Sequence, residues 1–302
     1  MGDGGGGLVR RALGWICVLC VFAMSCAAVP VTILYTNDIH LRFGRLASLE
    51  QRIAAERAGD VPVLLFDAGD AWQDFRTPLA AVWGADEMVA WMNRVGYDGM
   101  ALGNHDMYWG RRRLEELAEE AAFPILCANL EPVRGGVPFV PSVRVEAGGI
   151  SVLAIGLITE EWLPYSAYPA LRVIPGASAL RREIDRRATP SDLVLVLAHL
   201  PVADAVRIAS VVPEIDVFLT GHSHEETPDP VSVGQTLIVQ GGAFGERLGR
   251  LSIDVDPETG SHRLIANELL ATEKAPTEIG RGFAQLLWIA AATAAAAILI
   301  LR

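Results

Sequence analysis

Lysine is almost missing from this 302-residue sequence: Lys274 is its single example, so arginine supplies nearly all of the 25 basic side chains. Acidic residues outnumber them at 36, which leaves a formal charge of -11 at pH 7. A surface that acidic does not neutralise the phosphates of a duplex, and no duplex nucleic acid is expected as a partner. An anionic substrate must then be attracted by positive charge that side chains do not supply, and a bound metal ion is the obvious source. Cysteine is scarce as well: Cys17, Cys20 and Cys26 crowd the N-terminus, and Cys127 stands alone in the body. The body therefore has no intrachain disulfide framework. Low-complexity linkers are lacking too, and 51% hydrophobic against 20% charged residues excludes disorder over most of the chain.

Both ends read as membrane segments. Residues 1–29 carry Arg10 and Arg11, an apolar run over 12–24, and the small residues Ser25, Cys26, Ala27 and Ala28, the layout of a secretory signal peptide. An uncleaved anchor is the alternative, although the run is short of the roughly 20 residues a span needs. Residues 283–301 carry no charge and lie between Arg281 and Arg302; at about 1.5 Å per residue they just cross a hydrocarbon core of about 30 Å. They are expected to form a C-terminal transmembrane helix behind a tether at 273–282. Their alanine content leaves a buried soluble helix as the alternative. The expected location is exported and membrane-anchored, with the body at 30–272 on the periplasmic or extracellular side.

Within the body, short runs rich in Val, Ile and Leu alternate with segments of helical period, which argues for an α/β layered fold. Runs at 31–36, 61–66, 99–102, 124–127, 150–155, 193–197, 217–220 and 236–240 read as buried strands because they are continuously apolar. Helices are expected over 46–57, 86–94, 111–122, 177–187 and 203–211. Segments 137–145 and 248–255 alternate apolar with polar residues and suggest antiparallel strands in a second sheet layer.

Five polar clusters follow five of the predicted strands: Asn37-Asp38-Ile39-His40, Asp67-Ala68-Gly69-Asp70, Gly103-Asn104-His105-Asp106, Ala198-His199 and Gly221-His222-Ser223-His224. In an open α/β sheet, groups at the carboxyl ends of adjacent strands converge in one crevice. All the histidines except His262 lie in these clusters. Carboxylate and amide oxygens with neutral imidazole nitrogens are the ligand set of a first-row transition-metal site, and there are enough for two ions. The i, i+2 spacing of Asp38 and His40, repeated in His222 and His224, puts both side chains on one side of an extended segment. Asp70 is the candidate to bridge two ions.

The order NDIH, DAGD, GNHD, AHLP, GHSH resembles the metallophosphoesterase, or calcineurin-like phosphoesterase, superfamily. More narrowly, LYTNDIH, LLFDAGDAWQ, IDVFLTGHSH and TLIVQGGAFGERLGRLSIDVD are similar to the metal-binding domain of the bacterial 5'-nucleotidase family. The resemblance implies a layered α/β/β/α sandwich with two central mixed sheets. It also implies two divalent ions, of Zn, Mn, Fe or Co, one held by Asp38, His40, Asp70 and His224 and the other by Asp70, Asn104, His199 and His222. His105 would be the catalytic imidazole, with Asn104 beside it. A phosphorylated small molecule, nucleotides included, would be hydrolysed by a hydroxide bridging the ions.

Two departures from that pattern matter. Family members commonly read GNHEFDWG where this chain reads GNHDMYWG, so Tyr108 stands where an Asp would pair with the catalytic His. A phenol brings no negative charge, and His105 is expected to be harder to protonate. Asp74 and Asp106 are the candidates to orient it instead, with a solvated side chain or helix cap as the plainer reading of Asp106. The second departure is the C-terminal base-stacking domain, for which nothing follows Thr272 except the tether and anchor. Phosphodiester or diphosphate hydrolysis on the same metal pair, and a catalytically impaired metal-binding scaffold, are the competing readings. Trp72, Tyr108, Trp109, Trp162 and Tyr165 are candidate substrate contacts for which packing is the plainer role. Arg42, Arg76 and Arg111 are candidate phosphate ligands.

Overall fold

The computed structural model describes residues 27–73, 78–108, 110–133, 135–161, 171–189 and 192–275, with the side chains of 78–83 left aside. The expected leader, except for its last three residues, and the expected C-terminal helix lie outside the described residues. Among the described residues no helix is long and apolar enough to cross a membrane.

The chain opens with β1 (Val29–Thr36), α1 (Phe43–Arg57), β2 (Val63–Asp67), α2 (Pro78–Val95), β3 (Gly99–Ala101), α3 (Arg111–Glu120) and β4 (Ile125–Leu126). It continues with β5 (Leu130–Pro132), β6 (Ser142–Ala147), β7 (Ile150–Ile158), β8 (Leu171–Val173), α4 (Gly176–Arg187), β9 (Leu193–His199) and α5 (Val202–Ala209). β10 (Val217–Thr220), β11 (Val231–Val233), β12 (Thr236–Val239), β13 (Arg247–Val255) and β14 (His262–Ala271) complete it.

Two six-stranded mixed sheets result, in the orders β14-β13-β1-β2-β3-β4 and β11-β12-β10-β9-β7-β6, with β5 and β8 pairing separately. The continuously apolar runs are the parallel strands, β1 to β4 in one sheet and β7, β9, β10 and β12 in the other. Each is covered on both faces, which is why their sequences do not alternate. Val31, Ile33, Phe66, Leu195, Leu197, Val217 and Leu251 fill the layer between the sheets. Outside the first sheet, Leu49, Ile53, Met88, Trp91 and Leu117 pack the helices α1 to α3. Outside the second, Leu180, Ala205, Val196 and Phe218 seat α4 and α5. The architecture is the expected α/β/β/α sandwich.

Several elements differ from the sequence reading. The strand expected over 137–145 lies at Ser142–Ala147 instead, because Pro138 and Pro141 lack the N–H a ladder needs; before it, Val140 makes only an isolated bridge to Leu126. β14 is assigned no element from the sequence, its residues HRLIANELLA being rich in helix formers. It is held by antiparallel pairing with β13 along its length, with a bulge at Ser252/Ile253. Past β14 the chain stays docked: Arg45 donates to the Thr272 carbonyl (2.9 Å), and Ala275 N donates to Gly44 O (2.8 Å).

Register fixes what comes next. Thr36 pairs with Asp67 and Asp67 with Met100, so the loops after β1, β2 and β3 emerge side by side. Thr220 pairs with Ala198, which brings the ends of β9 and β10 to the same rim.

Candidate metal centre

All five polar clusters meet at this rim, though not as extended segments. Asp38, His40, Asp70, His222 and His224 adopt left-handed backbone (φ 51, 48, 59, 72 and 59°), as do Leu41 and Phe244. No other described non-glycine residue does. The chain turns sharply as each strand ends, so the i, i+2 pairs converge by curling and not by alternation. Such conformations are uncommon outside glycine and cluster at functional sites. They are tied in place by backbone bonds between loops: Asp38 N to Gly69 O (2.9 Å), His40 N to Asp70 O (3.0 Å) and Phe244 N to Asp38 O (2.7 Å).

The side chains converge with acceptor facing acceptor. His224 Nε2 lies 3.2 Å and His40 Nε2 3.6 Å from Asp38 Oδ1. His199 Nε2 is 3.0 Å, His40 Nε2 3.9 Å and His105 Nε2 4.0 Å from Asp70 Oδ2. Asn104 Oδ1 and His222 Nδ1 approach to 3.0 Å, and the His199 and His222 rings are 5.2 Å apart. The sets Asp38/His40/His224, His40/Asp70/His105 and Asp38/Asp70/His199 could each hold a metal ion.

Tautomers follow from the outer contacts. His40 Nδ1 sits 2.8 Å from Gln73 O and His199 Nδ1 2.9 Å from Ala68 O, and a carbonyl only accepts, so both Nδ1 atoms carry the proton. In the neutral rings each Nε2 then presents a lone pair to the carboxylates. His199 Nε2 and Asp38 Oδ1 are buried without a hydrogen bond. Orphaned lone pairs aimed at a common point, each ring braced from behind, fit a divalent cation.

The electrostatics of the bare donors agree. Burial works to raise the Asp70 carboxyl, yet the charge of His199 holds it below the usual range. Asp38 is likewise held low against its burial, by His224 and His40. Burial works to lower His199, but Asp70 overrides it and pushes the imidazole up to about 10. Burial keeps His105 and His222 below the ordinary imidazole value, and the charge of His199 adds to the effect on His222.

Asp106 is neither solvated nor a helix cap. It is buried, and its carboxylate accepts from Asp70 N (2.9 Å), Gly103 N (2.9 Å) and Trp72 N (3.2 Å), so it binds two metal-site loops together. Gly103 is required beside it, because a Cβ there would fall 2.1 Å from Asp70 Oδ1. Asn37 braces Asp38: its Nδ2 donates to Asp38 Oδ2 (2.8 Å) and Gly242 O (2.6 Å), and its Oδ1 accepts from Gly241 N (3.0 Å). Neither role was read from the sequence, although both residues sit inside the motifs.

Around the mouth, the Tyr108 ring meets the His105 ring edge-on at 5.0 Å, and Phe244 lies 5.7 Å from the His40 ring and 5.1 Å from the His224 ring. The Arg42 guanidinium lies over Phe244, 4.9 Å from its centre. Trp72 is fully buried in the core beneath α1 to α3, and Arg111 pairs with Glu115 on α3. Asp74, Arg76, Trp109, Trp162 and Tyr165 lie outside the described residues.

Sandwich and candidate metal centre together are of the metallophosphoesterase kind, and the comparisons agree. Residues 31–226 match the calcineurin-like phosphoesterase family, to which the chain belongs. The mouse 5'-nucleotidase is 29% identical over 299 residues, covering 84% of this chain and 51% of the mouse protein. The chain spans about half the length of the curated relatives it matches. The fold is shared with a 5'-nucleotidase precursor from Thermus thermophilus (TM-score 0.69, 24% identity, 89% of this chain, 60% of that one). It is shared too with the Haemophilus influenzae NAD nucleotidase (TM-score 0.72, 20% identity, 81% and 57%).

Proposed function

We propose that the chain is an exported, membrane-tethered phosphoesterase carrying out 5'-nucleotidase-like hydrolysis of phosphate monoesters at a centre for two divalent cations. The observation that carries this reading is the convergence of Asp38, Asp70, His40, His199 and His224 on shared points, with His199 Nε2 and Asp38 Oδ1 left without hydrogen bonds. Asp38, His40, Asp70 and His224 would hold one ion, and Asp70, Asn104, His199 and His222 the other. When bound, the ions supply an activated water and a clamp for the phosphate.

The chain's own residues supply the rest. Asp70 is fixed from both sides, its N donating to Asp106 and its Oδ1 accepting from His105 N (2.8 Å), so it holds its place between the two ligand sets. That second bond also pins the backbone of His105, whose ring is partly exposed to the mouth, where a substrate's leaving oxygen would arrive. Burial favours its neutral form, and Tyr108 beside it adds no charge to hold an imidazolium. His105 then acts more as a neutral hydrogen-bond donor to the phosphoryl and leaving oxygens than as an imidazolium acid, whose population is small, and good leaving groups are favoured.

Turnover of the metal-loaded chain on monoesters, diesters and pyrophosphates tests the reading. Monoester hydrolysis is expected, and His105→Ala should lower kcat by about 10²- to 10⁴-fold with metal content unchanged. Preferred cleavage of diesters or pyrophosphates would move the substrate class, and inactivity on all three would leave a metal-binding scaffold. Export and anchoring are tested by fractionation and by protease access to the body in intact cells.

A further inference from the structure

The chain leaving β12 reaches the rim without bringing a candidate ligand, and it carries a wholly buried amide, Gln240. That amide is spent on one turn, the turn after β10. Its Nε2 donates to Thr220 Oγ1 (3.0 Å) and to Gly221 O (3.0 Å), while its Oε1 accepts from Ser223 Oγ (3.1 Å) and from Glu225 N. These partners settle which way round the amide sits, since a peptide carbonyl only accepts and a peptide N–H only donates. Thr227 clamps the backbone of Gln240 in turn: Gln240 N donates to Thr227 Oγ1 (2.6 Å), and Thr227 N donates to Gln240 O (3.0 Å).

The amide thus bonds to residues 220, 221, 223 and 225. The two residues left between, His222 and His224, are the ones whose rings face the centre: His222 Nδ1 lies 3.0 Å from Asn104 Oδ1, and His224 Nε2 3.2 Å from Asp38 Oδ1. Both have left-handed backbone, φ 72 and 59°, a conformation that persists in residues other than glycine only where the surroundings impose it. Gln240 imposes it by gripping the turn before, between and after the two histidines. The next two residues tie the same segment to Asp38. Gly241 N donates to Asn37 Oδ1 (3.0 Å), and Gly242 O accepts from Asn37 Nδ2 (2.6 Å), which also donates to Asp38 Oδ2 (2.8 Å). One short stretch therefore sets the turn of His222 and His224 against the turn of Asp38. We propose that Gln240 is a positioning residue for the metal centre, holding His222 and His224 where their ring nitrogens can serve as ligands. This rests on the two-cation reading of the site. Gln240 acts through the two imidazoles, as the partners behind metal ligands do elsewhere.

The test titrates the full chain with Co²⁺, whose visible absorption reports how its ligands are arranged and needs no turnover. Gln240→Met keeps the bulk of the side chain and removes all four of its hydrogen bonds. Gln240→Glu keeps the shape and the two accepted bonds and loses the two donated ones. Co²⁺ binding should weaken by about 10- to 100-fold in Gln240→Met and by about tenfold in Gln240→Glu. At saturating Co²⁺ the visible band of both should differ from the parent in position or intensity. A residue that only supports folding would leave that band at its parent form, so the spectrum separates the two roles, and Gln240→Glu decides alone where Gln240→Met does not fold. An unchanged band at saturation, with or without weaker binding, would overturn the positioning role and leave the metal centre standing. A parent chain that takes up no Co²⁺ would instead overturn the metal-centre reading, and the role of Gln240 with it.

Discussion

Asp106 shows how a residue outside the candidate ligand set can decide whether the ligands meet. Its carboxylate gathers the N–H groups of Asp70, Trp72 and Gly103, donors that left-handed and tightly packed backbone would otherwise leave buried and unpaired. Asp106→Ala orphans all three. Its unfolding free energy should fall by about 3 kcal/mol or more in urea titration, with metal affinity lost in parallel. A stable variant with full metal content would show that the loops hold their shape without it. At this scale the Asp and His side chains that the structure gathers into candidate metal-binding groups were legible, because such residues after apolar runs have few other reasons to recur. The bracing was not legible: the bonds of Asp106, the Asn37 amide and the Gln73 carbonyl depend on backbone that curls, which residue identity does not report.

Among elements, Tyr35 does the work of a crossbar. It leaves β1 opposite Gly249 of β13, and its hydroxyl donates to Asn267 Oδ1 of β14 (2.9 Å), so one ring joins three strands. Burial pushes that hydroxyl well above the usual phenol range, as befits a donor. Gly249 makes room for the ring, since a Cβ would fall 2.1 Å from Tyr35 Cζ. Gly249→Ala should cost about 1–3 kcal/mol of stability, read by thermal or urea unfolding, whereas a neutral result would mean the ring has another place to go. This pairing explains why β14 escaped the sequence: its strand state comes from β13 and Tyr35, not from its own helix-forming residues. The parallel strands were legible because burial on both faces writes itself as unbroken Val, Ile and Leu, as in Leu193–His199. Short β5, β8 and β11 left no such mark, each being only a ledge against a longer neighbour or against each other.

For the whole molecule, cations held at the rim would reconcile the acidic balance of -11 with the proposed hydrolysis of an anionic ester, and protons would compete with them there. Asp70 raises His199 to about 10 despite its burial, so the metal-free chain keeps this ring protonated at neutral pH, and Asp38 raises His40 in the same direction against its burial. In that state the His199 contribution to stability is full below the ordinary imidazole pKa of about 6.5 and is lost as pH rises through about 10. Metal reverses the sign by requiring the neutral ring. Loading at pH 7 should release protons, seen as a calorimetric heat that scales with buffer ionisation enthalpy, and affinity should climb with pH. A heat independent of the buffer would place the metal on other groups. Activity should fall as pH drops below about 6.5, where His222, held under the ordinary imidazole value by burial, takes up its proton. The most direct test of the central claim is a titration of the metal-stripped chain with Mn²⁺ or Zn²⁺, following phosphate released from a monoester against equivalents added. Release that rises from nothing and saturates at two equivalents per chain is the predicted result; release indifferent to added metal would contradict it.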